Sequence, residues 1–177
     1  MLDLARPAYK AKQTVDRLVE RDAREAPCRT HEIPLGQAIS VDELPAVEGV
    51  PEASRTQLAA RYGHAAHDVL ALAAERGELA QPVVPGRPDL LAEVALAARR
   101  EQARSIGDVL LRRTRLGLTA ARDLAAAGGE PGPVQRVGDL LAREHGWSAE
   151  RLQAEQRAFA AEAAAEGLLG LRSDGGP

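Results

Sequence analysis

Residues 89–116 read DLLAEVALAARREQARSIGDVLLRRTRL, and this stretch decides the fold class. Its apolar residues recur every three or four positions, which places them on one face of an α-helix. They are Leu90, Leu91, Val94, Ala95 and Ala98 in the first half, and Ile106, Val109, Leu110 and Leu116 in the second. Ser105 can cap the second segment, with Asp108 in its first turn, and Gly117 can end it. The stretch predicts two consecutive amphipathic helices, the first over residues 89–103.

The composition of the whole chain favours the same structure. Aromatic residues make up only 2% of the 177 residues, so the core has to be built from Leu, Val and Ala. Alanine and leucine are strong helix formers, and the aromatic residues and isoleucines that favour strands are nearly absent. The chain is long enough for one domain with a real core. We predict an all-α, compact multi-helix bundle with an extended, proline-rich connector near the N-terminus.

Proline and glycine mark the predicted boundaries. Residues 1–24 are predicted to form an N-terminal helix, and four prolines with two glycines predict an irregular connector over residues 25–52. Helices are expected over residues 53–169, and residues 170–177 are expected to form a flexible tail.

Further breaks are predicted within the helical region. Gly63 is expected to end its first helix. Thr119 is predicted to cap a short helix before the glycine-rich linker at residues 128–133. Two final helices, Val134–His145 and Ser148–Glu166, should be separated by a tight turn at Gly146.

Charge and motifs disfavour several functions. The net charge of −3 gives the whole molecule no attraction to nucleic acid or to an anionic membrane. No apolar run approaches the roughly 20 residues that span a bilayer. Neither a G-x-x-x-x-G-K-[ST] loop nor a G-x-G-x-x-G after a strand is present. With Cys28 as the one cysteine, no intrachain disulfide can form, and a cytosolic compartment is the simplest expectation.

Metal binding and nucleophilic catalysis have weak support. Cys28-x-x-His31 and His64-x-x-His67 have spacings found in zinc sites, but the first pair lies in the connector. The histidines of the second pair are one helical turn apart, which favours surface or helix-end residues. A Cys–His pair would also need an orienting group and an oxyanion hole. We therefore predict no catalytic, cofactor-binding or metal-binding residue in this chain.

An alternative interpretation is a small DNA-binding regulator with a helix-turn-helix. Ala142, Gly146 and Leu152 have the small, glycine and apolar spacing of that motif. The helix that would enter the major groove carries four glutamates against two arginines, and phosphates repel such a helix. A helical hairpin is the favoured reading.

Arginines concentrate between residues 99 and 115, where only Glu101 and Asp108 oppose them. They are Arg99, Arg100, Arg104, Arg112, Arg113 and Arg115. This stretch predicts either a solvated helix face with internal salt bridges or a docking surface for an acidic partner or another domain. Because Arg113 lies close to the buried stripe, it has to be paired. Arg112, Arg113 and Arg115 are our candidates for an interdomain or internal ion-pair network.

Several motifs together resemble one known family. They are Arg61-Tyr62-Gly63, Leu79–Gly86 (LAQPVVPG), Leu91–Val94 (LAEV), Arg100–Ala103 (REQA), Asp108–Gly117 (DVLLRRTRLG) and Gly146-Trp147. In an all-helical setting they resemble the C-terminal domain of FAD-dependent, quinone-linked glycerol-3-phosphate dehydrogenases. Upstream, Val15-Asp16 and Pro27–Thr30 resemble the end of that family's flavin domain and its connector. The resemblance covers residues 11–165.

The resemblance implies that this chain is a detached, non-catalytic C-terminal domain. In the family an N-terminal doubly wound domain holds FAD and substrate, and the full-length enzyme oxidises glycerol 3-phosphate to dihydroxyacetone phosphate with electrons passing to quinone. The family's K-L-T-T-Y-R motif would fall on Asp3–Ala8, which does not match, so no catalytic or FAD-binding residue is carried over. Asp89 also stands where the family more often has an aromatic residue.

The resemblance also implies the setting in which the chain works. FAD is implied for the full-length enzyme only. The implied partners are the FAD and substrate domain of the parent enzyme and a membrane-associated electron-transfer partner, with no nucleic acid and an undetermined oligomeric state. The implied location is cytoplasmic, with peripheral attachment at the inner membrane face through the parent enzyme.

Overall fold

The computed structural model describes Glu32 and residues 38–125 and 132–168. It divides the chain into two units, Met1–Leu35 and Gly36–Pro177, and the description below concerns the second. The predicted N-terminal helix (residues 1–24), the first part of the predicted connector and the predicted tail (residues 170–177) lie outside the described residues.

Helices make up the regular structure of the described residues. The seven α-helices are α1 (Glu52–Tyr62), α2 (Ala66–Glu75), α3 (Leu91–Arg100), α4 (Leu116–Thr119), α5 (Ala121–Ala125), α6 (Pro133–His145) and α7 (Ala149–Ala165). Single 3₁₀ turns lie at Val41–Glu43, Gly63–Ala65 and Gly77–Ala80, and a π-helix spans Asp108–Arg113. Across residues 38–125 and 132–168 there is no β-strand, only an isolated antiparallel bridge between Pro82 and Leu90. The prediction of an all-α fold is confirmed.

Helix α3 is the central element of the core. Every residue from Leu91 to Ala97 is buried, and the helix packs against α2, α6 and the π-helix. A helix that is buried on all sides needs small and apolar residues all round, and the sequence LAEVALA provides them with one exception, Glu93. Burying each Leu or Val side chain stabilises the fold by about 1.5–3 kcal/mol.

The chain enters α3 later than the sequence predicts. The helix begins at Leu91 rather than Asp89, because the preceding loop is closed by backbone hydrogen bonds. The Val83 N–H donates to the Asp89 carbonyl at 2.7 Å, and the Leu91 N–H donates to the Gln81 carbonyl at 2.9 Å. The loop that precedes α3 therefore takes up the first two residues that were assigned to the helix.

The second helix of the central stretch differs from the prediction in type. Ser105 caps it as expected, since its hydroxyl accepts from the Asp108 N–H at 3.0 Å while the Asp108 carboxylate accepts from the Ser105 N–H at 3.1 Å. The backbone then forms a π-helix, in which the Thr114 N–H donates to the Val109 carbonyl five residues earlier. Such turns are rare and frequently lie at functional sites.

The second helix of the stretch does not end at Gly117, as predicted, but at Arg113, the last residue of the π-helix. Arg115 takes the left-handed conformation, with φ 60°, and Gly117 lies inside the following helix α4. Gly117 is needed there for space, because a Cβ atom would lie 2.3 Å from the Leu111 side chain. The prediction that Thr119 caps a helix is also wrong, since Thr119 is the last residue of α4 and its hydroxyl donates to the Arg115 carbonyl.

Helices α6 and α7 form the predicted hairpin. Gly146 ends α6 with φ 66°, a left-handed conformation that glycine adopts without steric cost. The Ser148 hydroxyl caps α7 by accepting from the Arg151 N–H at 3.3 Å. At Gly138 the two helices approach so closely that a Cβ atom would lie 2.9 Å from the Leu152 side chain.

Candidate functional site

Most arginines of the 99–115 stretch form ion pairs with other parts of the fold. Arg99 binds both carboxylate oxygens of Glu144, at 2.6 and 3.0 Å. Arg100 pairs with Asp68 on α2. These contacts link α3 to α6 and α2, so both arginines are already engaged within the bundle.

Arg112, one of the three candidate residues, links the π-helix to α7. Its guanidinium donates to Glu162 at 2.5 Å and lies 3.6 Å from Asp108. Gly107 makes room for this contact, because a Cβ atom there would lie 2.1 Å from a carboxylate oxygen of Glu162. Burial alone would raise the pKa of Asp108. The hydrogen bond from the Arg104 N–H and the positive charges of Arg113 and Arg112 nevertheless hold this pKa below its usual range.

Arg113 is half-buried and paired within the same loop, as the sequence requires. It donates to the backbone carbonyls of Asp108, at 3.1 Å, and of Glu101. Its Nε lies 3.4 Å from the Glu101 carboxylate. Arg113 therefore closes the segment from residue 101 to residue 113, and its guanidinium is already engaged.

Arg115, the third candidate, is in a different environment. It is exposed, and within the described residues it forms no ion pair. The structure therefore brings Arg112 and Arg113 into internal ion pairs with separate partners, and leaves Arg115 available at the surface.

An exposed strip continues from Arg115 along the next two helices. Leu116, Gly117, Ala120 and Leu124 are buried, whereas five residues from Arg115 to Asp123 are exposed. Four of them are Arg115, Leu118, Thr119 and Arg122, and together we name these four the Arg115–Arg122 surface. The fifth is Asp123, which pairs with Arg87. Among the described residues, Leu118 is the one large hydrophobic side chain that is exposed, and its exposure is 59%. Sequence analysis missed Leu118 and Arg122, although the buried residues at 116, 120 and 124 already imply an opposite face.

A buried ionic cluster connects α1 to α3, and the sequence did not reveal it. Arg61 donates to Asp89 at 2.8 Å and to Glu93 at 2.6 Å. Both carboxylates are buried, and Glu93 also accepts from the Leu90 N–H at 2.9 Å. The signal that could have revealed the cluster is Glu93 itself, which is the one acid in the otherwise apolar segment Leu91–Ala97.

Two acids share one cation in this cluster. Burial raises the pKa of Glu93, and the negative charge of Asp89 raises it further. The attraction of Arg61, whose one nitrogen contacts both acids, opposes the shift without cancelling it. Burial and the nearby Glu93 also raise the pKa of the Tyr62 phenol. The cluster tightens the contact between α1 and α3.

Other features of the described residues give weaker support for a functional site. His64 and His67 stack with ring centres 6.1 Å apart, while Cys28 and His31 lie outside the described residues. Among the residues that the structure describes, no group of three or more His, Cys, Asp or Glu could hold a metal ion. A groove of about 460 Å³ beside α2 is lined by small residues and by Glu48.

The hairpin of α6 and α7 does not favour DNA binding. The exposed side of α7 carries Glu150 in its first turn, and the Arg151 guanidinium is paired with Glu155 at 2.5 Å. Arg151 also lies 5.7 Å from the ring centre of Trp147, which stacks on His145. Arg151 is the one cation in the first turn of α7, the helix that would enter the major groove. Because Arg151 is already paired, it is not available to contact phosphate.

The fold and its ion pairs thus define a helical domain with an apolar core, in which arginine–carboxylate contacts link neighbouring helices and an exposed basic and apolar strip follows Arg115. A family model described as the C-terminal domain of alpha-glycerophosphate oxidase matches residues 28–152, and the chain belongs to this family. The match confirms the resemblance and gives no support to the DNA-binding alternative.

Curated relatives carry the name glycerol-3-phosphate dehydrogenase. One from Mycobacterium leprae is 32% identical over 135 residues, which is 76% of this chain and 22% of the relative. A mitochondrial one from Arabidopsis thaliana is 36% identical over 103 residues, which is 58% of this chain and 15% of the relative. The chain therefore spans about a fifth of the length of these relatives. No solved structure matches the chain significantly.

None of the helices in the described part of the chain is both long enough and apolar enough to cross a bilayer.

Proposed function

We propose that the chain serves as the docking domain of an FAD-dependent glycerol-3-phosphate dehydrogenase. The flavin and the substrate belong to a separate doubly wound domain, and this helical domain packs against it. The parent reaction is oxidation of glycerol 3-phosphate to dihydroxyacetone phosphate, with electrons passing from FAD to quinone. The observation that carries the proposal is the family match over residues 28–152, which covers most of this chain and a small part of its relatives.

The three candidate arginines have distinct parts in this proposal. Arg112 and Arg113 fix the π-helix against α7 and against the Glu101 loop, so they position the surface that follows them. Arg115 is exposed and available to a partner. Replacing all three by alanine is therefore expected to weaken docking, both by loosening the segment and by removing a contact.

The test is binding between two separately produced proteins. One is the full chain, and the other is the Mycobacterium leprae relative without its own C-terminal domain and loaded with FAD. Calorimetry at micromolar concentration is expected to show binding, since interdomain interfaces commonly bury about 600–1,500 Å². The absence of binding would refute the proposed function. Unchanged affinity of the triple alanine variant would remove the arginines from it.

The proposal includes a place for the assembled enzyme in the cell. Because quinone is a membrane-soluble electron acceptor, the parent enzyme would work at the inner face of the cytoplasmic membrane, next to a membrane-associated electron-transfer partner. Fractionation of cells that express the assembled enzyme is expected to place activity in the membrane fraction. Activity confined to the soluble fraction after gentle lysis would contradict this location.

A further inference from the structure

We infer that the Arg115–Arg122 surface is the docking face, and that it fits a protein surface on which carboxylates flank an apolar contact. The inference rests on the proposed function, which makes the flavin domain the partner. It goes further by assigning the contact to Arg115, Leu118 and Arg122, two of which lie outside the arginine-rich stretch.

Charge supports this assignment. Of the neighbouring arginines, 99, 100, 112 and 113 are engaged by carboxylates, whereas Arg104 is exposed and forms no ion pair within the described residues. Arg115 and Arg122 are exposed and form no ion pair within the described residues, and Asp123 beside them is engaged by Arg87 at 3.2 Å. The surface is therefore locally basic in a chain whose net charge is −3. A complementary partner surface is acidic, and such complementarity speeds encounter and fixes register.

Leu118 supplies the apolar part of the surface. At 59% exposure it lies between two arginines, while Leu116 on the other side of the same turn is fully buried. Interfaces commonly depend on a few apolar or arginine anchors that are surrounded by polar contacts. Leu118, with Arg115 and Arg122 on either side, likewise combines an apolar anchor with flanking arginines.

The backbone holds the surface in a fixed geometry. Arg115 has φ 60°, a conformation that residues other than glycine seldom adopt and that often marks functional sites. It is held by its neighbours, because the Thr114 hydroxyl donates to the Val109 carbonyl at 2.9 Å and Leu116 is anchored in the core. A side chain on a fixed turn loses less freedom on binding than one on a mobile loop.

An anionic membrane fits this surface less well than an acidic protein does. Helices that bind at a membrane interface present a long apolar face. Helices α4 and α5 have four and five residues, and they expose one large apolar side chain between them. A second copy of the chain would offer another basic surface at the same position, which is repulsive.

The test measures affinity for the FAD-loaded flavin domain of the Mycobacterium leprae relative by calorimetry, at low and moderate salt. The variants are Arg115→Glu with Arg122→Glu, and Leu118→Ser alone. The matched control is Arg157→Glu, because Arg157 is exposed on α7 and has no ion pair among the described residues. Circular dichroism melts verify that each variant is folded, and anionic phospholipid vesicles serve as a competing probe.

The expected results separate this inference from the proposed function. Charge reversal is expected to weaken binding at least tenfold, which corresponds to about 1.4 kcal/mol, and to remove most of its salt dependence. Leu118→Ser is expected to weaken binding to a smaller extent, and Arg157→Glu to leave it unchanged. If the unmodified chain binds and these variants bind equally well, the docking face lies elsewhere and the proposed function stands.

Two further outcomes would overturn the inference. An equal loss with Arg157→Glu would show that total charge, rather than this surface, controls binding. Binding to vesicles that Arg115→Glu with Arg122→Glu abolishes, without binding to the flavin domain, would assign the surface to a membrane and refute the proposed function as well.

Discussion

Arg61→Met tests the buried cluster that connects α1 to α3. The change removes the cation that faces Asp89 and Glu93, whose side chains are 6% and 0% exposed. Leaving one member of a buried ion pair without its partner commonly costs about 3–5 kcal/mol. Since a domain of this kind is stable by about 5–15 kcal/mol, the change should remove a large part of its stability.

The assay is unfolding by heat and by urea at neutral pH. A chain of this size loses roughly 2–4 °C of melting temperature per kcal/mol, so Arg61→Met is expected to lower the midpoint by about 6–20 °C. The matched control is Arg100→Met, which breaks an ion pair whose side chains are 64% and 44% exposed. Exposed pairs contribute about 0–1 kcal/mol, so this control should be close to the unmodified chain.

A compensating variant distinguishes lost charge from lost packing. Combining Arg61→Met with Asp89→Asn and Glu93→Gln removes the two buried negative charges, and this triple variant should be more stable than Arg61→Met alone. The loss caused by Arg61→Met should also shrink as the pH falls, because the stranded Glu93, whose pKa burial already raises, becomes protonated. If Arg61→Met costs no more than Arg100→Met, the cluster does not contribute the stability assigned to it.

Three further predictions follow from the same structure. Burial raises the pKa of Glu93 above its unfolded value, so its contribution to stability is present at low pH and is lost as the pH rises through the folded pKa. The unmodified chain should therefore gain stability relative to Glu93→Gln as the pH falls. Hydrogen bonding to Arg99 lowers the pKa of Glu144, so the unmodified chain should instead lose stability relative to Glu144→Gln under the same conditions. Gly138→Val should destabilise the hairpin by about 1–3 kcal/mol, because it crowds Leu152.

Each of these predictions has a direct check. Urea unfolding at several pH values, compared pairwise with each Gln variant, should give slopes of opposite sign for Glu93 and Glu144. Slopes of the same sign would contradict the assigned pKa directions. For Gly138, the exposed position Gln153 on α7 supplies the control, and a Gly138→Val melting temperature as high as that of Gln153→Val would show that the helices tolerate the extra methyl groups.

The helices could be predicted because their determinants are local. Apolar spacing placed α1, α3, α6 and α7 within a few residues of their observed bounds. Gly63 and Gly146 adopt positive φ where the sequence required it, and Ser105 and Ser148 cap the helices that follow them. A side-chain cap or a glycine at a turn acts on residues three or four positions away, so one sequence is enough to recognise it.

The features that escaped prediction depend on distant contacts. Arg61 meets Glu93 across 32 residues, and no local pattern links the two positions. The π-helix and the left-handed Arg115 arise because Leu116 is anchored in the core while Thr114 bonds back to Val109. Gly117 looked like a helix end, but its missing side chain is used to make room for Leu111.

The candidate site could be predicted only where it depends on local sequence. Arg112, Arg113 and Arg115 stood out as a cluster of like charges, and the sequence required a partner for Arg113. Which of them is free for a partner depends on the folded positions of Glu162 and Glu101, and those positions follow from the packing of α7 and from the chain path after α3.

The central claim is that this chain is a helical domain that docks on a flavin domain and holds no flavin itself. Size-exclusion chromatography that records both protein and flavin absorbance tests this claim most directly. The first sample contains the chain and free FAD, and the second contains the chain and the FAD-loaded flavin domain. The account predicts no flavin absorbance with the chain alone and a co-eluting flavin complex in the mixture. Flavin bound by the chain alone, or separate elution of the two proteins, would contradict it.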